Sequence, residues 1–187
     1  MNNWFRANCK LVLNEILRAL EAVDPEQAEA LVAELLSAEK VFFIGVGRCL
    51  LSLKAFAKRL NHLGISAYCV GDTNEPAITE KDLLVVGSGS GESVVPVAIA
   101  RVARQQRARL AYIGSNPQSS VALMADVIVR IPVQTKLGLP DEMSSEQIMT
   151  SLFEQCLYIL GDAFSLEIAR RRGLDLRELR RYHANLE

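Results

Sequence analysis

One stretch narrows the fold more than any other. Leu83-Leu84-Val85-Val86 runs into Gly87-Ser88-Gly89-Ser90-Gly91-Glu92-Ser93, and Val94 to Ala100 follows as the apolar start of a helix. A short aliphatic run ended by glycine marks a strand buried on both faces. The small residues after it let the backbone pass close to a ligand. The helix N-terminus then offers unpaired N–H groups and the positive end of a dipole, which suit a phosphate. The hydroxyls of Ser88, Ser90 and Ser93 add neutral donors. The stretch therefore reads as strand, anion-binding turn and helix, with a phosphate monoester as the ligand that fits. A serine-capped βα turn needs no ligand, so loop chemistry alone leaves both readings open. Two other phosphate loops fit less well. Glu92-Ser93 stands where a Walker A loop needs Gly-Lys-Ser/Thr, and G-x-G-x-G is not the dinucleotide spacing G-x-G-x-x-G.

The same pattern occurs earlier. Val41 to Ile44 is an apolar strand, Gly45-Val46-Gly47-Arg48 turns it, and a helix runs to about Leu63 with Gly64 as its C-cap. Ser66 to Val70, Leu110 to Ile113 and Val127 to Ile131 complete five expected strands. Helices are expected from Val94 to Gln106, briefly from Ser119 to Met124, from Gln147 to Arg172, and from Asp175 to near His183. Two more precede the first strand within residues 3–37: an apolar stripe of Phe5, Cys9, Val12, Leu13, Ile16, Leu17 and Leu20, then a helix capped by Asp24 with Pro25 at its first position. Those two helices suit either the sheet or a subunit interface. Alternating strands and helices predict an α/β protein: a three-layer αβα sandwich around a five-stranded parallel sheet, flavodoxin-like, with extra N-terminal helices. We expect one domain over 1–187, with the sheet core at 41–131 and C-terminal helices at 147–183. Ligands of such folds sit at the carboxyl ends of the strands, where both glycine turns lie. The Pro132 to Ser145 loop is long for a compact domain, and such loops often cover a site.

Composition excludes several classes. The net charge of −1 gives no reason to expect nucleic acid or an anionic membrane. No apolar run approaches the roughly 20 residues of a membrane span, and the first ten residues lack the apolar core of a signal peptide. Cys9, Cys49, Cys69 and Cys156 form no C-x-x-C pair and read as reduced thiols of a cytoplasmic protein. His62 and His183 form no ligand-spaced cluster, so no metal is expected.

A few residues stand out for chemistry. Arg48, seated after a G-x-G turn, can hold a phosphate or sugar oxygen by paired hydrogen bonds. Glu154 lies among Leu152, Phe153, Cys156 and Leu157, which leaves it a narrow solvent face. A carboxylate so bordered is turned to water or placed for work. Glu92 is a second candidate acid or base, although a glutamate in a first helical turn commonly serves the dipole. His62 is roughly 20 Å along its helix from Arg48, so it reaches that crevice only in a neighbouring subunit's site. Cys49 sits at a helix N-terminus, where a thiol pKa tends to fall, but no histidine is near in sequence to activate it.

Taken in order, Gly45-x-Gly47-Arg48, Arg59-Leu60-x-His62-Leu63-Gly64, the serine loop, Asn116-Pro117-x-Ser119-Ser120, Ser151-Leu152-Phe153-Glu154-Gln155 and His183-Ala184-Asn185-Leu186-Glu187 resemble the sugar isomerase (SIS) domain proteins. Within them the chain is similar to the 6-phospho-3-hexuloisomerases, along nearly its whole length. The resemblance implies interconversion of D-arabino-hex-3-ulose 6-phosphate and D-fructose 6-phosphate through an enediol, without a cofactor. It implies a homo-oligomer, dimer or tetramer, with sites at subunit interfaces. It makes Glu154 the base and His62 of a neighbouring subunit the second acid/base group. Ser88, Ser90 and Ser93 hold the phosphate, Gly47 and Gly89 give close backbone approach, and Arg48 contacts the substrate. Cys49-Leu50 departs from the family's usual Ser-Gly pair, and Ile148-Met149-Thr150 replaces its small-residue turn. An isomerase of another phosphosugar, or a non-catalytic sugar-phosphate-binding module, therefore stays open.

Overall fold

The computed structural model describes residues 3–175, 177 and 179. Helix α1 spans Trp4–Glu21 and α2 spans Pro25–Ser37, with the Asp24 carboxylate accepting the Glu26 N–H at 2.8 Å. There follow β1 (Val41–Ile44), α3 (Gly47–His62), β2 (Ala67–Cys69), β3 (Leu83–Gly87), α4 (Val94–Gln105), β4 (Arg109–Gly114), β5 (Val127–Arg130) and α5 (Ser151–Arg171). The strands pair in parallel in the order β2-β1-β3-β4-β5. The chain leaves β1 toward β2 and then crosses back to β3. The order therefore reverses between β1 and β3, and this is the crevice where ligands of such sheets sit.

Alternate residues of each strand feed two cores. Phe43, Val85 and Ala111 face α1, α2, α3 and α5. Phe42, Leu84, Val86 and Tyr112 face α4. This is the expected three-layer sandwich. Helices α3 and α5 lie close because Gly161 has no side chain: a Cβ there would stand 2.8 Å from the Phe56 ring. The same pair closes over Gly87, where a Cβ would meet Leu53 at 2.8 Å and Leu157 at 3.2 Å.

Two expectations are corrected. Helix α5 begins at Ser151, not Gln147. The Glu15 carboxylate claims the preceding backbone instead, accepting from Ser145 Oγ at 2.7 Å, Glu146 N–H at 2.9 Å and Gln147 Nε2 at 3.0 Å. Met149 then takes a left-handed φ of 55° that no helix allows. The short helix expected at 119–124 is a single 3₁₀ turn, Ala122–Met124. The stripe of α1 is only partly covered: Ile16 is buried, while Phe5, Leu13 and Leu17 are 62%, 64% and 58% exposed. Asp175 does cap Arg177 at 2.8 Å, but most of the helix expected after it, and His183, lie outside the described residues. Among the described residues no helix is long and apolar enough to cross a membrane.

Candidate active site

The site is built where β1 and β3 end. After β1 the chain turns through Gly47, whose φ of 55° admits no side chain cheaply, and α3 starts at once. Arg48 and Cys49 are thereby placed in the first turn of α3. After β3 the serine loop folds on itself. Gly91 N–H donates to Ser88 Oγ at 3.1 Å, Glu92 N–H to Ser90 Oγ at 3.3 Å, and the Ser88 and Ser93 hydroxyls stand 3.5 Å apart. No side chain caps the N-terminus of α4. Its first N–H groups are left to a ligand or water.

The third wall comes from the segment before α5 and from α5's first turn. Together these elements enclose a cavity of about 710 Å³, lined by Gly47, Arg48, Cys49, Ser88, Gly89, Ser90, Ser93, Thr135, Lys136, Thr150 and Glu154. A second groove, of about 410 Å³, opens between α1, α3 and α5 and shares Arg48 and Glu154 with the first. Val12, Ile16, Leu51, Tyr158 and Ile159 give it an apolar lining.

Glu154 is buried, and its carboxylate is divided between two donors. Arg48 Nε donates to Oε2, and the Thr150 hydroxyl donates to Oε1 at 3.1 Å. Ser52 Oγ holds the Glu154 carbonyl at 2.8 Å, which fixes the helical turn that carries it. Arg48 remains 63% exposed at its side chain, so its other guanidinium nitrogens are free to meet an incoming oxyanion.

Six residues expected to bind (Gly47, Arg48, Ser88, Gly89, Ser90 and Ser93) and the expected base, Glu154, line this one cavity. His62 lies at the far end of α3, with its Nδ1 3.4 Å from Arg59 Nη1, and does not line it. Glu92 is turned to another task. It accepts Ser120 N–H at 2.7 Å and Ser120 Oγ at 2.8 Å, and these bonds hold its carboxyl below the usual range. Cys49 corrects an expectation, because burial and the nearby Glu154 charge push its thiol up to about 11 despite the helix terminus. It is a neutral lining group. Thr135, Lys136 and Thr150 were not singled out from sequence as site residues. The length of the 132–145 loop was one signal, and a hydroxyl four residues before Glu154 was another.

The comparisons agree with this geometry. The SIS domain family matches residues 34–156. The chain is 37% identical over 176 residues to the 3-hexulose-6-phosphate isomerase of Bacillus subtilis, covering 94% of this chain and 95% of that one. It is 38% identical over 180 residues to that of Mycobacterium gastri, covering 96% and 90%. A solved Methanococcus jannaschii structure, said to infer a molecular function of 3-hexulose-6-phosphate isomerase, superposes with a TM-score of 0.82 at 30% identity, covering 97% of this chain and 99% of that one. A serine-lined turn at the switch point of a 2-1-3-4-5 sheet, matched along almost the whole chain by these relatives, shows that the protein belongs to the SIS domain family and is related to its 3-hexulose-6-phosphate isomerases.

Proposed function

We propose that the protein interconverts D-arabino-hex-3-ulose 6-phosphate and D-fructose 6-phosphate without a cofactor. One observation carries the reading: a buried carboxylate, Glu154, lines the same cavity as the hydroxyls of Ser88, Ser90 and Ser93. The phosphate sits on the serine loop and the open N-terminus of α4, which supplies binding energy remote from the reacting carbons. Glu154 takes the proton from C3 of fructose 6-phosphate. The electron pair forms the C2–C3 double bond, and the C2 carbonyl oxygen becomes the oxyanion of an enediolate. Glu154 returns the proton to C2, and C3 becomes the carbonyl carbon as its hydroxyl proton moves to O2. One carboxylate can serve both carbons while the enediol is held still. Arg48 stands beside Glu154 and stabilises the developing oxyanion.

The oxygen protons need a group that titrates near neutrality, which suits histidine. His62 of this chain is roughly 20 Å away along α3. We assign the role to His62 of a neighbouring copy in a homo-oligomer. The uncovered Leu13, Leu17 and Leu51 and the apolar groove that reaches Glu154 support such packing. A second reading keeps the chemistry and changes the sugar. It is favoured by Cys49, a neutral thiol and poor hydrogen-bonder on the cavity wall where the related isomerases carry a hydroxyl.

Proton NMR of fructose 6-phosphate in D₂O with pure protein tests both. Deuterium entering C3, with 3-hexulose 6-phosphate appearing, supports the first reading. Exchange at C1 points to an aldose–ketose isomerase. Binding without exchange removes fructose 6-phosphate as a substrate.

A further inference from the structure

The serine loop is held from beneath by a residue that the proposed mechanism does not use. Tyr112, in the middle of β4, is wholly buried in the core facing α4. Its hydroxyl reaches the end of the sheet and donates to the Ser88 carbonyl at 2.9 Å, with the Gly89 carbonyl at 3.3 Å. The same oxygen meets the Ser119 hydroxyl and the Asn116 backbone N–H. Two glycines make room for it. A Cβ at Gly114 would stand 2.0 Å from that oxygen, and one at Gly91 would stand 2.7 Å from it.

In a trans peptide the carbonyl of one residue and the N–H of the next point in opposite directions. Pulling the Ser88 carbonyl down therefore turns the Gly89 N–H up. The Gly89 N–H accordingly points to Cys49 on the cavity wall, which takes it up and leaves the Ser90 N–H as the donor for an anion. Pulling the Gly89 carbonyl down, a bond shared with Ser115 N–H at 2.9 Å, turns the Ser90 N–H the same way. We infer that Tyr112 is a positioning residue for anion binding: its hydroxyl fixes two peptide planes so that the Gly89 and Ser90 N–H groups turn toward the cavity, the Ser90 N–H meeting the phosphate. Burial pushes its phenol up to about 12, so the donor stays protonated at any pH at which the protein works. The inference rests on the serine loop's being the phosphate seat.

The test is calorimetric binding of fructose 6-phosphate and of inorganic phosphate to wild type, Ser90→Ala and Tyr112→Phe, with turnover measured on the same samples. Phenylalanine keeps the ring and removes only the donor. The expected result is about tenfold weaker binding of both ligands by Tyr112→Phe, with kcat within twofold of wild type. A purely structural role would lower the melting temperature and leave affinity alone, and that result overturns the inference. If Ser90→Ala also binds as wild type does, the seat itself is misplaced, which is a different failure. Should Tyr112→Phe not fold, the wild-type amides decide. In a phosphate titration followed by NMR, the Ser90 amide must shift. If it does not, the backbone is not a donor there and the inference falls.

Discussion

Two walls of the cavity are held in opposite ways. The serine loop is bonded within itself by contacts that span no more than five residues, and the Tyr112 hydroxyl of the adjoining strand holds it from beneath. The strap at 132–150 is held by carboxylates. Glu142 accepts from Thr135 N–H at 3.0 Å, Thr135 Oγ1 at 2.9 Å and Leu139 N–H at 3.0 Å. Glu15, on α1, fixes Ser145, Glu146 and Gln147 across about 130 residues of chain. The first wall is set by its own glycines and serines and by the strand beside it. The second is completed only once α1 has docked. A site made of both should lose binding when the first is damaged, and positioning of the base when the second is.

The two walls meet at Glu154, where the largest effect is expected. Glu154→Gln keeps the side chain's shape and an acceptor for the Thr150 hydroxyl, but removes the base. The kcat should fall by about 10³-fold or more, and deuterium exchange at C3 should vanish with it. Exchange retained at the wild-type rate would take Glu154 out of the mechanism. Damage to the serine wall should separate from this. Ser90→Ala is expected to raise KM about tenfold with little change in kcat, because the phosphate is bound alike in ground and transition states. A fall in kcat with unchanged KM would mean that Ser90 acts on the reacting carbons instead.

The same contrast explains what could be read in the chain. Strands β1 and β3 are continuous apolar runs ended by glycine, so their place, burial and turns were legible, and the parallel order followed from alternation with helices. Arg48, Ser88, Ser90, Ser93 and Glu154 were legible because each lies at or near the start of a helix that follows such a turn or the long loop. The start of α5 was not. Ile148, four residues before Leu152, continues the helical spacing of apolar residues, and only a carboxylate on a distant helix draws residues 145–147 away. Thr135 and Lys136 were missed for the same reason: nothing near them in sequence says that Glu142 folds the strap inward. On α1 the spacing of Leu13 and Leu17 showed an apolar stripe correctly but could not say what would cover it.

Removing the strap's own tie should have a smaller, positional effect. Glu142→Gln retains one carbonyl acceptor and removes the charge from three bonds, each worth about 1.5–3 kcal/mol when charged and about 0.5–1.5 kcal/mol when neutral. The strap should open locally while the fold stands. Lys136 is exposed on it, so trypsin should cut after Lys136 at least tenfold faster than in wild type. The kcat should fall only about threefold, with KM near that of wild type. Equal cutting rates would show that the strap is held by something other than Glu142.

The smallest effect is expected from the longest tie, and pH exposes it. Burial of Glu15 pushes its carboxyl up, but the Glu146 N–H, the Ser145 hydroxyl, the Gln147 amide and the Arg18 charge outweigh this and hold it below its ordinary 4.5. A group whose pKa is depressed by folding stabilises the folded state fully above its unfolded pKa. That stabilisation is lost as the pH falls through the folded value. In Glu15→Gln the amide turns a donor toward donors. The variant should therefore melt below wild type at pH 7, and the gap should narrow steadily below pH 4.5. Comparing the pair at each pH cancels the titration of every other carboxyl. A gap unchanged at pH 3.5 would mean that shape, not charge, anchors the strap to α1. Glu92→Gln, on the serine wall, is the matched control. Its carboxyl is held low by Ser120 and, more weakly, by the Lys136 charge, and is exposed, so its gap should be smaller and close over the same range.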